Sequence, residues 1–155
     1  MVLNNEGVRF FCPDRVVNRY KSHVNPTDTT YGKMIHFSDT DASGVAHFSK
    51  LLCLVEEVEH EIMATLGIPV FESDAGWPRV RLSIDFHSSV RFGDRLAVLL
   101  VPGRIGSSSL EWKVKMTCGD RLVLDGFYVT VRVGADGEKM TIPDQEKQAL
   151  MSIAG

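Results

Sequence analysis

The sequence predicts an α+β domain in which an antiparallel sheet of about five strands wraps around one long central helix. Three features carry that expectation. One stretch repeats apolar residues at spacings of three and four, several later stretches alternate with a period of two, and no further helical periods separate those strands. Without intervening helices the strands have no crossovers with which to run parallel, so they are expected to pair antiparallel.

The first strand is expected over residues 31–37, YGKMIHF, which are aromatic and β-branched enough to extend before the polar turn cluster SDTDASG. Residues 1–30 mix Pro, Asn, Asp and Thr with short apolar pieces and no sustained period. They are expected to form an N-terminal extension whose role the sequence does not reveal, leaving residues 31–155 as the domain. After the turn, FSKLLCLVEEVEHEIMATLG places Leu51, Leu54, Val55, Val58, Ile62 and Leu66 on one buried stripe. Ser49 suits the N-cap, Gly67 the left-handed position past the end, and Pro69 blocks continuation. At roughly 1.5 Å per residue, about 17 helical residues would span some 25 Å, enough to lie across a sheet.

Beyond the helix, Val80, Leu82, Ile84 and Phe86 alternate with Arg79, Arg81, Ser83, Asp85 and His87, predicting a strand with one buried face. The runs RLAVLLVPGRI and SLEWKVKMTC flank Gly106, Ser107 and Ser108 and read as a hairpin. Gly119 and Asp120 then turn the chain into RLVLDGFYVTVRV, which ends at Ala135, Asp136 and Gly137. The expected order is strand, long helix, then an antiparallel meander. Open sheet edges of this kind pair readily with a second copy, so a homo-oligomer, a dimer or tetramer, is expected.

At 155 residues, 44% of them hydrophobic and 24% charged, the chain fits one ordinary globular domain. A net charge of -3 with interspersed basic residues offers no patch for a nucleic-acid backbone. No apolar run approaches the roughly 20 residues of a membrane span, and the start MVLNNEGVRFFCPDR lacks a secretory signal, so a cytoplasmic location is expected. Cys12, Cys53 and Cys118 lie too far apart for a paired metal motif and read as reduced, mostly buried thiols. No G-x-S-x-G elbow, phosphate-binding loop or dinucleotide fingerprint appears.

The chemistry concentrates between the first strand and the helix, where Asp39, Thr40, Asp41, Ala42, Ser43, Gly44 and Val45 set two carboxylates beside unpaired helix N-terminal amides. Such amides can hold a developing oxyanion while a carboxylate attacks a carbonyl or activates water. A thioester suits this arrangement, because a thiol with a pKa of about 8.5 departs as thiolate with little help from an acid. The competing reading makes Asp39 and Asp41 mere caps and Gly44 a turn residue. On the helix, Glu56, Glu57, Glu59, His60 and Glu61 read as a charged, solvated face. Glu57 and His60 have an i, i+3 metal spacing but no second helix to complete it, so no metal is expected. His36, His47 and His87 stand singly, with His47 nearest the junction.

The run FSDTDASGVAHFSKLL, followed by the Glu-rich helix, resembles the 4-hydroxybenzoyl-CoA thioesterase family of hotdog proteins, whose signature is D-T-D-x-x-G-V-V-Y/H. The likeness continues through SIDFHSSVRFGDRL and RIGSSSLEWKV, covering about residues 31–133. Within that family the pattern is especially similar to the 1,4-dihydroxy-2-naphthoyl-CoA thioesterases of quinone biosynthesis. The resemblance implies a hotdog fold, an acyl-CoA substrate, and no cofactor beyond the CoA of the substrate itself. It assigns Asp41 as nucleophile or general base and the Phe48 N–H as the group polarising the thioester carbonyl. Asp39 and Thr40 would shape the loop, and Gly44 and Val45 would let the acyl group and pantetheine pass. The pocket would be completed by a neighbouring subunit. His47 and Glu57 fall among the implied substrate contacts, as do Arg104, Ser107 and Ser108 toward the CoA. Ala46 and His47 depart from the usual Val and Tyr, which alters the acyl wall, and the serine turn lacks the cationic cluster some members use. Hydrolysis of aliphatic acyl-CoA or acyl-carrier-protein thioesters, or non-catalytic acyl-CoA binding, remain as alternatives.

Overall fold

The computed structural model describes residues 29–70 and 75–154, so Cys12 and most of the expected N-terminal extension lie outside the described residues. The elements run β1 (Thr30–Met34), a 3-10 turn (Phe37–Asp39), α1 (Phe48–Thr65), β2 (Ala75–Gly76), β3 (Arg79–Phe86), β4 (Arg95–Ile105), β5 (Ser109–Cys118), β6 (Arg121–Val131), β7 (Val133–Gly134) and α2 (Asp144–Met151). Five strands form one antiparallel sheet in the order β1-β4-β5-β6-β3, with α1 packed on it. This is the hotdog architecture expected from the sequence.

Several details differ from expectation. The first strand stops at Met34 rather than at residue 37, because the Asp39 carboxylate takes the His36 backbone N–H at 2.8 Å and curls the chain into the 3-10 turn. Only β4, β5 and β6 form a meander. β3 precedes them in sequence but docks on the far side of β6. Gly126 permits that docking: a Cβ there would sit 2.1 Å from the Ser83 carbonyl oxygen, and its φ of 147° lies where side chains are strained. The β2–β7 pair and α2 were not anticipated. Both are short, and neither offers a sustained apolar period.

The core forms where the α1 stripe of Leu51, Leu54, Val55, Val58 and Ile62 meets the inward faces of β4 to β6, including Leu96, Val98, Leu100, Leu110, Trp112 and Met116. Each such side chain contributes roughly 1.5–3 kcal/mol on burial, which fixes α1 against the sheet and so fixes where its N-terminus points. Val80, Leu82 and Phe86 alternate as expected, yet they are 61%, 50% and 48% exposed. Their strand is a sheet edge, and the face they mark is open in the single chain. Cys53 is likewise exposed rather than buried. No helix among the described residues is long and apolar enough to cross a membrane.

Candidate active site

The loop from Thr40 to His47 is folded back on itself. Thr40 bridges Ala46, the Asp41 N–H donates to the Val45 carbonyl at 2.9 Å, and the Gly44 N–H donates to the Asp41 carbonyl at 2.9 Å. Gly44 adopts a φ of 76°, which closes this turn and which other residues rarely adopt. The loop is pinned on both flanks: Ala46 N–H donates to Val90 at 2.8 Å, and His47 N–H to the Asp39 carbonyl at 2.9 Å. Asp39 and Thr40 act within their own turn, Thr40 through its hydroxyl on the Phe37 carbonyl at 2.8 Å. Arg91 adds a bond from Nη1 to the Ser43 carbonyl at 3.3 Å.

This scaffold presents the Asp41 carboxylate at the surface. The Ser43 hydroxyl and N–H both donate to its Oδ1, at 2.5 and 2.8 Å. Those two donors, the hydroxyl foremost, hold the carboxyl below the ordinary aspartate value, with smaller contributions from the Val45 N–H and from nearby His47. Asp41 is therefore an anion throughout the neutral range.

Helix α1 begins beside the loop. Its N-cap is His47, not Ser49: the imidazole Nδ1 accepts the Ser49 N–H at 3.3 Å and lies 2.8 Å from the Ser49 hydroxyl. An imidazole nitrogen can take the capping role that sequence rules reserve for Ser, Thr, Asp and Asn, and Ser49, the second residue of the helix, becomes the donor. The Lys50 and Leu51 N–H groups are taken by the His47 carbonyl, whereas the Phe48 N–H has no acceptor among the described residues. Next to it runs an open groove of about 290 Å³ lined by Ala46, Phe48, Leu51, Phe86, His87 and the residues up to Val90. Phe48 meets Phe86 edge-on there, at 6.4 Å. Asp41 is not part of that lining.

Asp39, Thr40, Asp41, Gly44, Val45, His47 and Phe48 are thus brought together at one junction. Glu57 is not; it is exposed further along α1 and pairs with Lys33 of β1 at 3.1 Å, next to Glu61. Arg104 and Ser107 are exposed at the β4–β5 hairpin. The carbonyls of Ser107 and Ser108 accept from Ile142 and Arg132 at 2.8 Å each, tying that turn to the C-terminal segment.

One charged cluster lay hidden in the sequence. Glu59, read there as part of a solvated face, is only 3% exposed and falls on the buried stripe of α1. Arg79 bonds its carboxylate and also that of Glu56, the latter at 2.6 Å. The Tyr128 hydroxyl donates to Glu59 Oε2 at 2.9 Å, and the guanidinium stacks 5.1 Å from the Tyr128 ring. Burial holds the Glu59 carboxyl above its usual value, with Arg79 the chief opposing influence. The Trp112 indole N–H is buried without an acceptor in bonding geometry, although Glu59 is near enough to feel it. A mostly apolar cleft of about 130 Å³, lined by Leu52, Cys53, Leu82 and Ile84 together with Arg79 and Tyr128, opens beside this cluster. The period of the α1 stripe itself was the signal, since position 59 lies one residue past Val58 and three before Ile62. Among the described residues no group of three or more His, Cys, Asp and Glu side chains converges as a metal site would.

Comparison with known proteins gives the following. Residues 43–124 match the sequence profile of the family described as the thioesterase superfamily. The 1,4-dihydroxy-2-naphthoyl-CoA hydrolase of Crocosphaera subtropica is 34% identical over 91 residues, 56% of this chain and 66% of that protein. The enzyme of the same name from Thermosynechococcus vestitus is 34% identical over 108 residues, 65% of this chain and 74% of the relative. Among solved structures, a 1,4-dihydroxy-2-naphthoyl-CoA thioesterase from Synechocystis superposes with a TM-score of 0.74 at 21% identity, over 81% of this chain and 96% of its own.

Proposed function

This chain belongs to the thioesterase superfamily and is a thioester hydrolase acting on acyl-CoA, and from that premise we propose that its substrate is an aromatic acyl-CoA, 1,4-dihydroxy-2-naphthoyl-CoA before others. The products are the free acid and CoA. Such a reaction belongs to quinone biosynthesis in the cytoplasm, and the curated relatives' names support that choice of acyl group.

Asp41 acts as nucleophile or general base, and the Phe48 N–H receives the thioester oxygen as it gains charge. The single observation carrying this reading is that an anionic Asp41 shares one short, pinned loop with a helix whose first N–H lacks an acceptor. As a nucleophile, Asp41 forms an anhydride with the acyl carbon while the C–S bond breaks and CoA leaves as thiolate; water then opens the anhydride. As a base, it takes a proton from water, whose oxygen attacks the same carbon, and the C–S bond breaks to release the free acid and CoA thiolate. Asp39, Thr40, Gly44, Val45 and His47 shape the approach, and Glu57, Arg104, Ser107 and Ser108 contact substrate from a neighbouring copy or toward the CoA.

Because Asp41 stands in the open, the cleft over it is completed by a second copy in a homo-oligomer. The unpaired β3 edge and its exposed Val80, Leu82 and Phe86 support that assembly. The clefts along α1 offer apolar and aromatic walls, Leu52, Leu82 and Ile84 in one and Phe48 and Phe86 in the other, that suit an aromatic ring.

Asp41→Asn should lower kcat by about a thousandfold or more while leaving the melting temperature close to wild type. Turnover near the wild-type rate would remove Asp41 from the reaction. Thiol release measured over aromatic acyl-CoA, aliphatic acyl-CoA and acyl-carrier-protein thioesters fixes the substrate class, and preference for a carrier protein would overturn the aromatic assignment.

A further inference from the structure

Resting on the reading of Asp41 as the reacting carboxylate, we propose that Ser43 is its positioning residue: by placing hydroxyl and amide on Oδ1 alone, Ser43 leaves Oδ2 as the oxygen that reacts. Both donors converge on one atom, at 2.5 and 2.8 Å, while the Val45 N–H lies close enough to add a smaller stabilisation of the carboxylate's charge. Rotation of the carboxylate about its Cβ–Cγ bond would break both bonds at once. An otherwise exposed and mobile side chain is thereby fixed in one orientation, which is what attack at a carbonyl carbon or proton removal from water requires.

Ser43 is itself held from behind. Its carbonyl accepts from Arg91 Nη1 at 3.3 Å, the same guanidinium that lies 3.6 Å from where a Gly44 Cβ would stand, and the Arg91 N–H is fixed by Asp94 at 2.8 Å. The line from Asp94 through Arg91 to Ser43 anchors a turn that would otherwise depend on its own short hydrogen bonds. The charged and titratable groups around Asp41 are His47, at the head of α1, and Arg91, through Ser43. Neither makes a direct hydrogen bond to the carboxylate, and the Val45 N–H acts on it less than either Ser43 donor, so Ser43 carries the orientation. The hydroxyl is the larger of its two effects in keeping the carboxyl below its ordinary value.

The decisive comparison sets wild type beside Ser43→Ala, which deletes the hydroxyl, and Ser43→Thr, which keeps it. Titration of the Asp41 carboxyl carbon by NMR and the pH profile of kcat/KM are read for each. Ser43→Ala is expected to raise the Asp41 midpoint and to lower kcat about ten- to a hundredfold with KM little changed. Ser43→Thr is expected to restore both. An unmoved midpoint in Ser43→Ala overturns the proposal, as does a loss of kcat that Ser43→Thr fails to repair, since size rather than the hydroxyl would then matter. Asp41→Asn separates the two readings. If it turns over at the wild-type rate while Ser43→Ala still shifts the midpoint, the assignment of Asp41 has failed and the contact stands. If it is inactive while Ser43→Ala leaves midpoint and kcat alone, the role of Ser43 has failed.

Discussion

Asp41 and Glu59 are two carboxylates of one chain in opposite circumstances. Asp41 lies at the surface, where two donors from Ser43 stabilise its charge and carry its pKa below the ordinary value. Glu59 is buried against the sheet, where loss of water outweighs the Arg79 guanidinium and carries its pKa upward. Exposure with fixed donors yields a ready anion suited to chemistry, whereas burial yields a carboxyl tied to Arg79 and Tyr128 and suited to locking α1 onto β3 and β6. An Asp41 change should therefore be read in turnover, and a change around Glu59 in stability.

The largest stability effect should come from Arg79→Ala. It leaves the 4%-exposed Glu59 side chain buried without its cation, and breaking a buried pair in this way typically costs about 3–5 kcal/mol. The Arg79 side chain is 30% exposed, so water reaches part of the pair and the lower end of that range is expected, read by denaturant unfolding at neutral pH. A loss below about 0.5 kcal/mol, the usual size for surface substitutions, would mean that Glu59 is not the constrained group described.

A smaller effect sharpens the comparison through pH. Because the folded Glu59 titrates above its ordinary 4.5, the fold favours the protonated acid. Its contribution to stability is full below 4.5 and declines as pH rises through the raised value. Removing Arg79 removes the main opposing influence and raises the folded value further. The deficit of Arg79→Ala relative to wild type should therefore shrink as pH is lowered from neutral toward 4.5, measured by unfolding at several pH values. A deficit that stays constant or widens on acidification would break the assignment to Glu59. Asp41 has the opposite sign, its contribution being present above the ordinary range and lost as pH falls.

These two carboxylates also mark how far the sequence could be read. The loop around Asp41 was legible because turn chemistry, glycine and a helix start are local signals, and Gly44 and the α1 stripe sit where those signals put them. Glu59 was not, since its identity suggested solvent and only the helical period suggested burial. Its partner Arg79 follows α1 by a long connection, and no local rule couples the two. The placement of β3 beside β6 was hidden for the same reason: the sequence shows alternation but not which edge receives it, and Gly126 reveals its purpose only once Ser83 is seen against it. The His47 cap escaped because imidazole is an uncommon capping group, and Ser49, expected as the cap, instead donates its N–H to that ring.

The smallest effect tests whether donors alone suffice inside the core as they do at Asp41. Tyr128→Phe removes one hydrogen bond, 2.9 Å to Glu59 Oε2, while leaving a ring of nearly the same shape against Arg79. Burial and the neighbouring carboxylate keep that hydroxyl protonated well beyond its usual range, so it is a neutral donor at every pH of interest. A hydrogen bond to a charged group contributes about 1.5–3 kcal/mol, and with Arg79 still in place the lower figure is expected. The Asp41 midpoint should not move, because the lost donor serves the other carboxylate. A loss equal to that of Arg79→Ala would show that hydrogen-bond donors govern the buried acid as they govern the exposed one, and the contrast between the two sites would dissolve.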